Sequence, residues 1–220
     1  CAGVDECRDL WIGDGRILAR KPRPDEADQT AITDVDAEGC WVLPAAIDLG
    51  TWVRDPGRDD EESLGETLAA ATAGGYAAIL PWPTTQPPVA SADEITSRLQ
   101  RAQKARHAKL LMAGLLTQNG VDIAEVGEMR DAGAVAFTDG PEHFVDDVLL
   151  RSALEYTAHI GALAILPAQT SPLARNAVLH EGDVATRLGL APWPAASEAI
   201  AAVRSIEMAR LTGCRVHLGL

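Results

Sequence analysis

The chain has 220 residues, of which 47% are apolar and 23% charged, and its formal net charge is −13. This composition is typical of a globular protein with room for one large domain. The acidic balance argues against nucleic-acid binding, which needs a basic surface. No stretch approaches the ~18 consecutive apolar residues of a membrane span, so we expect neither a nucleic-acid nor a membrane partner.

The N-terminal residues 1–41 have the pattern of a small, incomplete β module. Leu10–Ile12 and Ile17–Leu18 flank a Gly-Asp-Gly turn, which predicts a hairpin. Residues 21–28 are rich in proline and charge and predict a loop, and a short strand is expected over 32–35. The four cysteines form no CxxC pair, which favours reduced thiols in a cytoplasmic protein without a signal peptide.

Residues 42–220 form the second predicted domain, in which strands and helices alternate. Strands are expected over 41–49, 76–82, 109–117, 134–138, 163–168 and 215–220. Helices are expected over 61–72, 91–107, 123–132, 144–160, 181–188 and 197–211. Ser91 with Glu94 forms a capping-box pattern, Ser197 is expected to cap the last helix, and Gly213 to end it. The run 41–49 is apolar and predicts a strand buried on both faces.

Six strand–helix units in alternation predict an α/β fold with a parallel sheet and helices outside. Two architectures fit this pattern, a doubly wound open sheet and a (β/α)8 barrel. The first strand is not followed by a GxGxxG motif, which weakens the dinucleotide-binding interpretation of the open sheet.

The segment from Ile47 to Gly57 contains the most specific motif, Ile-Asp-Leu-Gly-Thr-Trp-Val-Arg-Asp-Pro-Gly. It resembles the first barrel strand of the dihydroorotases, in the amidohydrolase superfamily, which reads Ile-Asp-x-His-x-His and then x-Arg-x-Pro-Gly. Weaker blocks of the same resemblance follow in order at 74–76, 83–88, 133–140, 180–182, 188–190, 198–200 and 210–218. The resemblance implies a TIM barrel of amidohydrolase type, with six strands present and the C-terminal part absent.

The resemblance also implies that the metal centre is degenerate. These enzymes bind zinc at the mouth of the barrel, where the metal lowers the pKa of an attacking water. The positions of the family's ligands fall on Gly50, Trp52, Asp139 (or its neighbour Thr138), Pro167 and Leu220. Only the carboxylate could bind zinc, so we expect no metal, no cofactor and no catalytic residue. The family's catalytic aspartate lies on strand eight, beyond residue 220.

Three further positions are candidates for ligand binding. Arg54 matches the arginine that binds the substrate carboxylate in the family, and Thr84 replaces the asparagine beside it. Arg54 could equally form a surface ion pair, for instance with Asp55. His180 lies in a loop and is the one histidine not assigned a structural role.

Two expectations concern the side chains around the mouth of the barrel. His217 is expected to point away from the mouth, towards the helices, because side chains alternate along a strand. The indoles of Trp52 and Trp82 are expected to fill the space that metal and substrate would occupy.

The resemblance implies a non-catalytic pseudoenzyme that supports aspartate carbamoyltransferase in pyrimidine biosynthesis, within an oligomeric complex whose partner is the catalytic chain of that enzyme. The alternative is an active, zinc-dependent cyclic amidohydrolase with an atypical site, converting dihydroorotate to N-carbamoyl-aspartate. A third interpretation is a metal-free barrel that senses a small carboxylate through Arg54. Turn residues are retained while ligands are lost, and this selective loss favours the first.

Overall fold

The structure is a computed structural model that describes residues 8–13, 15–18, 33–141 and 146–219. The chain divides into two compact units, Cys1–Pro44 and Ala45–Leu220. In the first unit, β1 (Trp11–Gly13) and β2 (Arg16–Leu18) form an antiparallel hairpin, which confirms that prediction.

The other two predictions for the first unit concern a strand and a loop. The strand expected over 32–35 is absent from its described part, residues 33–35, where Val35 is exposed and pairs with no described strand. The predicted loop over 21–28 lies outside the described residues.

The second unit contains the alternating strands and helices. Its strands are β3 (Ala46–Thr51), β4 (Tyr76–Pro81), β5 (Lys109–Leu110), β6 (Met112–Gly114), β7 (Thr117–Gln118), β8 (Asp122–Ile123), β9 (Ala134–Phe137), β10 (Leu163–Pro167), β11 (Leu179–His180), β12 (Pro192–Trp193) and β13 (Arg215–Gly219). Its helices are α1 (Leu64–Ala73), α2 (Ala92–Ala105), α3 (Val126–Asp131), α4 (Asp147–His159), α5 (Ser171–Ala174), α6 (Asp183–Leu188) and α7 (Ala196–Thr212). The short elements β7, β8, β11, β12 and α5 were not predicted.

The main strands are parallel and lie side by side in chain order. β3 pairs with β4 and β4 with β5, while β6 pairs with β9, β9 with β10 and β10 with β13. β5 and β6 are separated only by Leu111, whose N–H donates to the carbonyl of Ile79 at 2.9 Å. The α/β prediction is therefore confirmed, and the sequential order is consistent with part of a barrel. The sheet does not close into a barrel among the described strands.

The sheet has a helix-facing side and an inner face. The larger core joins strand residues such as Ile79, Met112 and Phe137 to helix residues such as Leu68 and Leu154. The inner face is a second cluster that contains no helix residue; its buried members are Leu80, Trp82, Ala113, Ala136 and Ile165. Side chains that alternate along each strand thus divide between two separate apolar clusters.

β3, the first of the predicted parallel strands, differs from its prediction. It begins at Ala46 rather than Trp41, and Ile47 and Leu49 are 54% and 46% exposed. They pair with Ala78 and Leu80, so they lie on the inner face. β3 has one neighbouring strand among the described residues, and these side chains are therefore covered from one side only. The prediction of burial on both faces was wrong.

Side-chain caps start the two helices that follow the first strands. Ser63 and Glu66 form a complete capping box at α1, which was not predicted. Ser91 caps α2 as predicted, but the Glu94 carboxylate accepts from the Ala90 N–H at 2.7 Å rather than from Ser91. Such caps satisfy amide groups that the helix itself leaves unpaired.

The ends of α7 match their prediction only in part. α7 begins at Ala196, and Ser197 lies inside it, where its hydroxyl exchanges hydrogen bonds with the backbone of Thr170. Ser197 is therefore not the cap. Gly213 ends the helix as predicted, with φ +69°.

Asp55 connects the loop after β3 to two helices. Its buried carboxylate accepts from the Leu64 N–H at 3.0 Å and from the guanidinium of Arg101. Burial alone would raise the pKa of Asp55, but the hydrogen bonds from Arg101 and Leu64 and the charges of Arg101 and Arg98 outweigh it and hold the pKa below its usual value. The predicted partner of Arg54 was Asp55; Arg54 instead lies 3.8 Å from Glu61.

We expect Asp55→Asn to lower the free energy of unfolding by about 2 kcal/mol at pH 7, because it removes a charged hydrogen-bond partner from a buried position. Since the pKa is lowered on folding, this contribution is present above the unfolded-state pKa of about 4 and disappears as the pH falls through the folded-state value. Urea unfolding at pH 7 and pH 3 measures both effects. Asp60→Asn, at an exposed position, is the matched control; equal stability losses for the two variants at pH 7 would contradict the assignment.

Candidate functional site

The predicted ligand positions lie at the carboxyl ends of the parallel strands. Gly50 is the fifth residue of β3 and Pro167 the last of β10, while Asp139 follows β9 by two residues. In parallel α/β folds this edge of the sheet bears the active site. The fifth position, Leu220, lies outside the described residues.

Gly50 faces an indole. Its φ is +112°, and a Cβ added there would lie 2.8 Å from Cζ2 of Trp82. A side chain at this position would therefore need both a strained backbone and a displaced tryptophan. Trp82 is buried beside Gly50, whereas Trp52 is 50% exposed; Trp52 therefore does not fill a closed space, and for Trp82 the expectation stays a prediction.

Asp139 connects two loops at the carboxyl edge of the sheet. One carboxylate oxygen accepts from the N–H groups of Leu116 and Thr117, at 3.1 and 2.8 Å, and the other from the Thr117 hydroxyl at 2.8 Å. These bonds fix the residues after β9 to the start of the β7–β8 hairpin. The one carboxylate among the predicted ligand positions thus has a structural role in this chain.

β13, the sixth of the predicted strands, has the opposite orientation to its prediction. His217 pairs with Ile165, a residue of the inner face. Val216 and Leu218 instead line a groove of about 390 Å³ together with Ile206 and Ala209 of α7. The strand partner, which a single sequence does not reveal, decides which residues face inwards. The prediction that His217 packs against the helices was therefore wrong.

The three candidate ligand-binding residues lie in different surroundings. Arg54 borders an open cavity of about 540 Å³ whose other lining residues include Glu61 and Glu66. The methyl group of Thr84 lies 2.7 Å from where a Cβ on Gly140 would be, so it packs against that backbone. His180 is exposed, its Nδ1 lies 3.0 Å from the carbonyl of Glu181, and its ring contacts Trp193 edge-on.

These residues do not fit a zinc ion. Structural and catalytic zinc sites use three or four nitrogen, sulfur or oxygen ligands from the protein. In the parts of the chain that the structure describes, no three His, Cys, Asp or Glu side chains are grouped so that they could hold a metal. The described ligand positions are Gly50, Trp52, Asp139 and Pro167. Gly50 has no side chain, Trp52 has a half-exposed indole, and the Asp139 carboxylate is hydrogen-bonded to Thr117.

Known proteins match most of the chain. The model of the family described as dihydro-orotase-like matches residues 39–220. The chain belongs to the dihydroorotase-like family. It is 35% identical over 218 residues to a dihydroorotase of Desulforapulum autotrophicum, covering 98% of this chain and 51% of that protein. A dihydroorotase of Desulfotalea psychrophila is 36% identical over 216 residues, covering 97% and 50%.

The chain spans about half the length of the curated relatives it matches. Among solved structures, the L-hydantoinase (dihydropyrimidinase) from Arthrobacter aurescens superimposes with a TM-score of 0.69 at 22% identity, over 94% of this chain and 48% of that one. This likeness supports the fold. None of the helices in the described ranges is long and apolar enough to cross a membrane.

The family membership confirms the resemblance found in the sequence. The expectation that the chain is no enzyme has no support from these comparisons, because the relatives are named as enzymes.

The contact between Gly50 and Trp82 and the hydrogen bonds of Asp139 were not predicted from the sequence. A glycine inside a predicted strand was the available signal for the first, since such glycines often mark a close approach.

We expect Asp139→Asn to lower the free energy of unfolding by about 2 kcal/mol, because an amide NH2 would face N–H groups that now donate to a charged oxygen. Thermal unfolding followed by circular dichroism measures this, with the exposed Asp122→Asn as control. A stability unchanged from the wild type would contradict the structural role of Asp139.

Proposed function

We propose that this chain is a non-catalytic member of the dihydroorotase-like family that supports aspartate carbamoyltransferase in pyrimidine biosynthesis. One observation supports the absence of catalysis above all others. Of the four described positions that match the family's zinc ligands, only Asp139 has a ligand group, and its carboxylate accepts three hydrogen bonds from Leu116 and Thr117. Without a metal-bound water, an amide hydrolase lacks its nucleophile.

The pattern of what is retained supports a structural role. Asp48, Arg54, Pro56 and Gly57 of the family motif are present, while both histidines of the same motif are replaced by Gly50 and Trp52. The parallel strands still lie in chain order with helices between them. A chain that has the turn residues of the motif but not its ligand groups is suited to a role carried out by its surface. The choice of aspartate carbamoyltransferase as partner comes from the resemblance described in the sequence analysis.

A second candidate function is an active cyclic amidohydrolase. The observation in its favour is the set of relatives named dihydroorotase, such as that of Desulfotalea psychrophila at 36% identity. In this case zinc would be bound by a different set of side chains. Water would add to the ring amide carbonyl of dihydroorotate, and the ring C–N bond would break to give N-carbamoyl-aspartate.

A metal and activity measurement separates the two candidates. We expect the purified protein to contain less than about 0.1 equivalent of zinc and to show no hydrolysis of dihydroorotate above the uncatalysed rate, because three of four described ligand positions offer no donor. Elemental analysis and a spectrophotometric assay measure these quantities. Stoichiometric zinc, with turnover that a chelator abolishes and zinc restores, would establish the enzyme instead.

The scaffold role predicts a complex. We expect this protein to co-elute in size-exclusion chromatography with the aspartate carbamoyltransferase catalytic chain of the same organism, at a mass above that of either alone. The catalytic chain from an organism whose enzyme functions without a dihydroorotase-like subunit is the control. Separate elution of the two proteins at micromolar concentrations would rule out a stable complex.

A further inference from the structure

Trp82 follows β4, the second parallel strand, and contacts β3 and β13, the first and the sixth. It directly follows β4, and its backbone N–H donates to the carbonyl of Thr51, the last residue of β3, at 3.0 Å. Its indole is 5% exposed and belongs to the inner face.

Two glycines make room for the indole, one on each of these strands. A Cβ added to Gly50 would lie 2.8 Å from Cζ2 of Trp82, and one added to Gly219 would lie 2.9 Å from Cη2. Both distances are shorter than the contacts that real Cβ atoms make, so the six-membered ring lies directly against both backbones.

The two glycines have different reasons to be glycine. Gly50 has φ +112°, which alone favours glycine. Gly219 does not have a positive φ, so its lack of a side chain is a matter of space. The atoms nearest to a Cβ there are Cη2 of Trp82 and, at 3.1 Å, Cγ2 of Ile165. Gly219 therefore reports on the indole without the complication of backbone strain.

We propose that Trp82 is an internal spacer that holds the carboxyl ends of the first and sixth barrel strands at a fixed separation across the inner face. The indole is the one large aromatic group among the buried members of this cluster, whose others are Leu80, Ala113, Ala136 and Ile165. Small alanine side chains leave a space that the ring fills. Since dispersion contacts decline steeply with distance, a smaller group at position 82 would lose contact with at least one of the two strands.

The spacer makes position 50 unable to carry a side chain while Trp82 is in place. The resemblance places a metal-binding histidine of the family at this position. The Trp82 indole therefore lies where the side chain of such a histidine would begin. The spacer role does not depend on the proposed function. The spacer role is tested by the melting temperature of variants, whereas the proposed function is tested by zinc content and turnover.

The first test is truncation of the indole. We expect Trp82→Ala to lower the melting temperature by about 10 °C, and Trp82→Phe by roughly half as much, because large cavities in a core are costly and 1 kcal/mol corresponds to about 2–4 °C in a chain of this size. Trp41→Ala is the control, since Trp41 is 86% exposed. A melting temperature of Trp82→Ala within about 2 °C of the wild type would overturn the proposal.

The second test is a double-mutant cycle between Trp82 and Gly219. Gly219→Ala should lower the melting temperature of the wild type by about 5 °C, because overpacking displaces the ring. In the Trp82→Phe background the same change should cost less than about 2 °C, since the phenyl ring is shorter. Equal losses in both backgrounds would mean that the ring does not bear on Gly219 and would overturn the proposal.

The third test is rescue by free indole. In Trp82→Ala, added indole at millimolar concentration should raise the melting temperature by several degrees through binding to the vacated space, with no rise in the wild type. If Trp82→Ala does not fold, Trp82→Leu replaces it. A folded variant whose melting temperature rises no more with indole than that of the wild type would overturn the proposal that the ring fills this space.

Discussion

The contact of Trp82 with Gly50 and Gly219 determines what the carboxyl edge of this sheet can contain. The Trp82 ring follows β4 and lies against β3 and β13. Its atoms are less than 3.0 Å from the points where a Cβ on Gly50 or on Gly219 would lie. Because protein interiors are close-packed, an atom placed at either position would have to displace the ring. The buried part of the inner face, from Leu80 and Trp82 to Ile165, is thus apolar next to Gly50 and Gly219.

Asp55 and Asp139 link segments of the chain that follow the carboxyl ends of the strands. Asp55 joins the loop after β3 to the N-terminus of α1 through the Leu64 N–H and to α2 through the Arg101 side chain. Asp139 joins the residues after β9 to Leu116 and Thr117. Each accepts bonds from backbone N–H groups that a loop would otherwise leave unpaired. Buried or half-buried charged acceptors of this kind contribute more than neutral ones. Groups typical of an active site can therefore be retained for stability alone.

The alternation of strands and helices could be predicted from apolar runs and turn residues, and the motif around Asp48 to Gly57 was sufficient to identify the family. The orientation of His217 was not predictable, because it depends on pairing with Ile165 on a strand more than fifty residues away. The exposure of Ile47 and Leu49 was not predictable either, since an apolar run indicates a strand but not how many neighbours that strand has. The hydrogen bonds of Asp139 depend on Thr117, which lies in a short hairpin with no apolar periodicity.

Under the proposed non-catalytic function, the packing implies that a zinc site at these positions would require several simultaneous changes. A histidine at position 50 alone would meet the Trp82 ring at φ +112°, and it would bind zinc poorly because one imidazole and one carboxylate do not make a site. Shrinking Trp82 first would remove the contact between the first and sixth strands. Each of these single steps is therefore expected to lower stability without creating a zinc site. In the proposed function, position 50 without a ligand group and the buried indole beside it are therefore two aspects of one packing arrangement.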